Sequence, residues 1–176
     1  MRLLLTLVIV GVLPFLVRAV KNRRINCILL ICYTIAVLII TLGSRSFENE
    51  THVGWNPIAV YQRAIQSVIQ GWKTGGWAEA IKHLGWHRWQ LMNNAGLNIL
   101  LFVPFGYLAP SVFSFLRHWW RVLLTGLSFS LIVEGVQLIT HLGWFDVSDL
   151  LHNTTGALIG YWIYWKWLRG TTEGTV

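Results

Sequence analysis

From Ile25 to Leu42 the chain runs eighteen residues without a charged side chain, and similar runs recur along it. In hydrocarbon, backbone amides must bond within their own segment, so an apolar run of about 18–20 residues becomes a helix that crosses the bilayer. Comparable runs cover about 3–20, 94–115, 122–139 and 150–167. Charged residues are 12% of the chain, about half the share of a soluble domain. The pattern predicts an all-α fold, a polytopic transmembrane helical bundle of about five membrane spans. It forms a single membrane domain over residues 1–176, with an interfacial amphipathic helix beside the spans.

A net charge of +7 raises the question of nucleic acid. Position answers it. Arg18, Lys21, Arg23 and Arg24 follow the first run, Arg117 and Arg121 precede the fourth, and Lys166 and Arg169 close the fifth, eight of the fourteen Lys and Arg in all. Basic side chains beside apolar runs mark cytoplasmic loops. The expectation is a multi-pass protein of the cell membrane with no nucleic-acid partner, its N-terminus outside and its C-terminus cytoplasmic. Residues 43–93 and the 140–149 turn then face outward. Charge after the first run, with no small-residue cleavage site, argues for a span and against a cleaved signal peptide. Cys27 and Cys32, five positions apart, fall on different faces of one helix, so no disulfide is expected between them.

The outward segment 43–93 is rich in tryptophan (Trp55, Trp72, Trp77, Trp86, Trp89). Asn56-Pro57 is a helix start, with Asn as cap and Pro at the first helical position. Beyond it Ile58, Tyr61, Ile65, Val68, Ile69 and Trp72 share one face, and Gln62, Arg63, Gln66, Ser67 and Gln70 the other. Gly71, Gly75 and Gly76 are expected to interrupt this helix, with a second short one from Trp77 to His83. Such a segment lies in the interface plane or caps the bundle, and both readings stand.

The polar residues inside the apolar runs converge. Gly126, Ser130, Glu134, Gln137 and His141 recur every three or four positions, which places them on one helix face. Asp149, Asn153, Gly156 and Gly160 do the same on the next run, where Gly156 and Gly160 form a GxxxG pattern that admits a close neighbour. Asn94 and Asn98 sit one turn apart on the third run, ahead of Pro104, where a kink is expected. With the assigned orientation Glu134 lies roughly 8 Å below the outer surface at about 1.5 Å per residue. Three of the seven acidic residues fall within sixteen positions here, and a mid-span carboxylate costs about 2.5–3.5 kcal/mol. The candidate ligand-binding set is Asn98, Glu134, Gln137, Asp146, Asp149 and Asn153.

Each has a plainer role beside the functional one. Asp146 and Asp149 have the spacing of a helix cap, and Asn98 can simply bond a neighbouring helix. Glu134 is harder to explain structurally, since an amide would avoid the cost of a charge. His141 and His152 flank the acids, but their spacing matches no metal signature. Neither a metal nor a cofactor is expected.

Asn98-Ile-Leu-Leu-Phe-Val-Pro-Phe-Gly106, Glu134-Gly-Val-Gln137, Phe145-Asp146-Val-Ser-Asp149 and Asn153-Thr-Thr-Gly156-Ala together resemble the signature of the VanZ-like family. The resemblance covers about 94–160, with a weaker likeness at Asn56-Pro57-Ile58. It implies a small integral membrane protein, similar to a founding member linked to teicoplanin resistance. The chain departs from the family pattern with Ser148 where a third acid is frequent, and with His141 and His152 where neither is typical. Three functions stay open. One is an outward polar pocket binding a membrane lipid, a lipid-linked envelope precursor or a lipophilic glycopeptide. Another is a membrane-embedded enzyme on a similar substrate, with Glu134 as acid or base and Asp146 or Asp149 as its partner. The last is a structural or partner-binding bundle.

Overall fold

The computed structural model describes residues 23–43 and 53–172. The expected first span, 3–20, lies outside the described residues, as does the 44–52 part of the outward segment. Among the described residues the helices are α1 Arg23–Gly43, α2 Ala59–Leu91, α3 Leu97–Val112, α4 Trp119–Ile139 and α5 Val147–Thr172. A wide helical turn, Met92–Gly96, joins α2 to α3, and a tight one, Ser114–Arg117, follows α3. Two short strands, β1 Val53–Gly54 and β2 Phe145–Asp146, pair in parallel.

α1 and α4 are long and apolar enough to cross a membrane, and α3 is a shorter apolar helix of 16 residues. In α1 only 22% of the apolar window is buried. Leu30, Tyr33, Val37 and Ile40 face the protein, while Ile28, Ile31, Ile35 and Ile39 are each more than 50% exposed. A soluble core helix would bury that second stripe. Its chemistry suits lipid.

The heart of the molecule is the crossing of α3 on α5. A Cβ added to Gly106 would overlap the Ala157 carbonyl, one on Gly156 the Ile99 carbonyl, and one on Gly160 the Val103 carbonyl. Glycine at all three lets backbone meet backbone, as the GxxxG spacing predicts, and brings Cα–H groups against carbonyl oxygens. Around this contact Phe102 of α3 and Phe129 of α4 pack with ring centroids 5.3 Å apart, and Phe105 and Phe129 at 5.5 Å. α3 stays helical through the buried Pro104 and Pro110, where the lost amide predicts a kink. Pro104 deprives the Leu100 carbonyl of its donor. One residue on, Tyr33 of α1 donates its hydroxyl to the Leu101 carbonyl at 2.6 Å.

α2 departs from the sequence expectation. Only Gly76 breaks it, at φ 68° and ψ −156°, a conformation that side chains rarely allow. Gly71 and Gly75 stay helical, and the second limb runs to Leu91, well past His83. The limbs fold together along small buried residues, Ala64, Gly71 and Ala80. A Cβ on Gly71 would come 3.2 Å from the Ala80 backbone, so this glycine is there for closeness and not as a stop. Ser67 Oγ and His83 Nδ1, 2.8 Å apart, tie the limbs, and Trp72 meets Trp77 across the tip at 4.5 Å between centroids. At the start of limb one, Asn56 Oδ1 accepts the Ile58 amide at 3.1 Å, as the Asn-Pro start predicts.

Candidate functional site

Ser130, Glu134 and Gln137 form the buried polar edge of α4, at 0%, 2% and 1% exposure. Spacings of four and three stack them along one side of the helix. Polar groups removed from water are costly unless bonded, and each finds a partner. Ser130 Oγ accepts from Asn153 Nδ2 of α5 at 2.8 Å. Glu134 Oε2 accepts the Asp146 backbone amide at 3.3 Å. Gln137 Nε2 donates to the Thr41 carbonyl, near the end of α1, at 3.1 Å. One face of α4 thus fastens α1, β2 and α5.

Asp146 performs the capping role that the sequence allows. Its Oδ1 accepts the Ser148 amide at 2.8 Å, which satisfies a free donor at the start of α5. The β1–β2 bridge sets Gly54 opposite Asp146, and a Cβ there would sit 3.2 Å from the carboxylate. Ser148, in place of a third acid, is buried beside this cap.

His141 is not on the α4 face where the spacing expects it. α4 ends at Ile139, and His141 takes a positive φ of 55°. The Leu142 amide then reaches back to the Gln137 carbonyl at 3.1 Å, and the His141 amide to that of Leu138 at 3.4 Å. This is a reversed helix end with histidine at the place glycine usually takes.

A further row of groups comes from outside the bundle. Tyr61, in the first turn of α2, places its hydroxyl 2.8 Å from Nε2 of the buried His152. The rings meet edge-on with centroids 5.9 Å apart. On its other side, His152 Nδ1 is 3.8 Å from Asp149 Oδ1, which is ion-pair range but longer than a hydrogen bond. Tyr61, His152 and Asp149 therefore run in sequence from the hairpin to α5.

Of the six candidate residues, Glu134 and Asp146 meet directly, Asn153 bonds Ser130 one turn away from Glu134 on α4, and Gln137 continues the row toward α1. Asp149 is linked to His152. Asn98 is half-buried on α3 and makes no side-chain hydrogen bond among the described residues. Two amide oxygens and the Nδ1 of His152 are left over. Gln137 Oε1 and Asn153 Oδ1 are buried with no hydrogen-bond partner among the described residues, at a cost of about 1–3 kcal/mol for each bond left unmade. Ser130, Thr41, Tyr61 and His152 are the participants that sequence reasoning did not assign to the site. Ser130 already lay on the correct face and His152 was noted only as flanking the acids, but nothing local marks Thr41 and Tyr61.

A second polar group lines an open cleft of about 440 Å³ in the α2 hairpin, with Ser67, Glu79, Lys82, His83, Trp86 and His87. Ser67, His83 and Glu79 stand in the order of a nucleophile, imidazole and carboxylate. Glu79 is 3.8 Å from His83 and is held by Lys82 at 3.0 Å, which keeps its carboxyl below the usual range. Ser67 also sits mid-helix, where nearby amides are bonded along the helix and none can stabilise an oxyanion. The cluster ties the limbs together.

The family model described as VanZ/LLP1 matches residues 28–169. No curated protein and no solved structure is significantly similar to the chain.

Proposed function

Because this chain belongs to the VanZ/LLP1 family, we propose that it is a membrane protein of about five spans, with an outward-facing polar pocket that binds the head group of a lipid-linked envelope component or a lipophilic glycopeptide. In this role it contributes to teicoplanin-type resistance. The observation that supports the reading is the pair of buried acceptors, Gln137 Oε1 and Asn153 Oδ1, set along the row with Glu134. Sugar hydroxyls, amides and amines supply the donors that such acceptors lack. A ligand anchored by an acyl chain can present them from the side while its tail stays in lipid.

A membrane-embedded enzyme on such a substrate is the second reading. Glu134 is its acid or base, and the Asp146 amide at 3.3 Å fixes one carboxylate oxygen in place. The test compares Glu134→Gln with Asp149→Asn, each normalised to membrane protein level. Binding is read by mass spectrometry of lipids retained through purification, and resistance by teicoplanin susceptibility. Loss of retained ligand with intact folding supports binding. Retained ligand with lost resistance supports catalysis. Normal behaviour of both variants would leave only a structural lock.

A further inference from the structure

The α2 hairpin carries an apolar surface that the bundle does not cover. Ile65, Ile69 and Trp72 on limb one, and Trp77, Ile81 and Leu84 on limb two, are each at least 50% exposed. Whether these make one surface or two follows from helix geometry. The limbs are antiparallel, because Trp72 pairs with Trp77, Gly71 with Ala80 and Ser67 with His83. On limb one the exposed stripe lies one residue after the seam, with Ile65 after Ala64 and Trp72 after Gly71. On limb two it also lies one residue after, with Ile81 after Ala80 and Leu84 after His83. One residue turns a helix by about 100° in a fixed hand. For antiparallel helices facing each other, equal turns carry both stripes to the same side. The hairpin is therefore one two-limbed plate, apolar below.

Its charge indicates what lies against it. α2 holds four cations, Arg63, Lys73, Lys82 and Arg88, against one acid, Glu79. An apolar face bordered by cations and tryptophans matches an anionic lipid surface, with acyl chains beneath the plate and phosphates at its rim. The exposed isoleucine stripe of α1 presents the same apolar chemistry elsewhere on the protein.

We propose that the α2 hairpin lies flat in the outer leaflet of an anionic membrane, with Ile65, Ile69, Trp72, Trp77, Ile81 and Leu84 immersed. The proposal rests on the membrane reading above. Lipid engagement then also fixes the position of Tyr61, at the base of limb one, against His152.

Spin labels in the full chain test the depth of the hairpin and its dependence on anionic lipid. On a Cys27→Ser, Cys32→Ser background, nitroxides are placed singly at Ile69, Ile81, Gln66, Lys82 and, as a control, Ile35. The protein is reconstituted in vesicles of phosphatidylcholine alone or with phosphatidylglycerol. Accessibility to oxygen against a water-soluble nickel complex reports depth. Labels at Ile69 and Ile81 should favour oxygen, those at Gln66 and Lys82 nickel, and the first pair should sit deeper with phosphatidylglycerol present. Equal depth in the two lipids would overturn the assignment of an anionic surface. Aqueous labels at Ile69 and Ile81 with a lipid-immersed Ile35 would overturn the hairpin proposal alone. An aqueous Ile35 would overturn the membrane reading with it. Spin–spin broadening at Ile69 or Ile81 would show a second copy on the face, and would equally overturn the proposal.

Discussion

Asn153 of α5 donates its side-chain amide to Ser130 of α4 at 2.8 Å, with both side chains buried. The bond lies one turn below Glu134 and one turn above Gly126, where a Cβ would stand 2.9 Å from that of Ala157. Close packing on one side and buried polar bonding on the other thus share a single helix pair. That arrangement makes it possible to separate stability from binding by mutation.

Ser130→Ala and Asn153→Ala should each destabilise the bundle, and a double-mutant cycle should return a coupling of about 0.6–1.7 kcal/mol. Ser130→Ala with Asn153→Leu removes donor and acceptor together, leaving stability within about 1 kcal/mol of the parent. Ligand retention should still be lost in that double variant. Unfolding in bicelles measures the first effect and lipid mass spectrometry the second. Retained ligand in a folded double variant would remove Asn153 from the site.

Gly106→Ala, Gly156→Ala and Gly160→Ala each place a methyl into a facing carbonyl. Overpacking of this kind costs about 1–3 kcal/mol or more, since backbone cannot turn aside as a side chain can. Gly135→Ala is the control. It lies on the same bundle with nothing within 4 Å of the added methyl, and should stabilise α4 by roughly 0.5–1 kcal/mol. Melting temperatures in detergent should rank the three far below Gly135→Ala. Equal values would mean that α3 and α5 do not cross this closely.

Helical periodicity explains what was legible beforehand. Ser130, Glu134 and Gln137 share a face at any tertiary arrangement, so their convergence could be read from spacing, and so could the close contact at Gly156 and Gly160. Tyr61 with His152 and Gln137 with Thr41 are 91 and 96 residues apart, and no local pattern encodes them. The errors have physical causes as well. Gly71 looks like a helix stop, yet it is kept because the opposing limb leaves no room for a side chain. His141 continues the polar phase of α4, yet the helix reverses there without the glycine that would have signalled it.

Tyr61→Phe removes one hydroxyl contact from a partly exposed residue, worth about 0.5–1.5 kcal/mol. The loss should be local. Amides in the first turns of α2 should exchange faster with deuterium, while those of α3 to α5 keep their protection and the melting temperature hardly moves. His152→Leu should loosen the same turns. Slower or unchanged exchange at residues 59–64 in both variants would show that the contact does not hold the hairpin.

The charge distribution predicts the orientation of the chain. Arg117 and Arg121 border the turn between α3 and α4, and Arg23 and Arg24 begin α1. Retaining such residues on the cytoplasmic side is worth more than any charge preference of the long outward segment, because short loops dominate the rule. The α2 hairpin, reached from the opposite end of α1, is then expected outside. On a background without Cys27 and Cys32, Trp77→Cys should react with an impermeant maleimide added to intact cells. Trp119→Cys should react only after the membrane is opened. Trp119 is 57% exposed in the structure, so its protection in intact cells would come from the bilayer and not from burial in the protein. The reverse labelling pattern would invert the protein, place the Glu134 row on the cytoplasmic side, and rule out an outer-leaflet ligand.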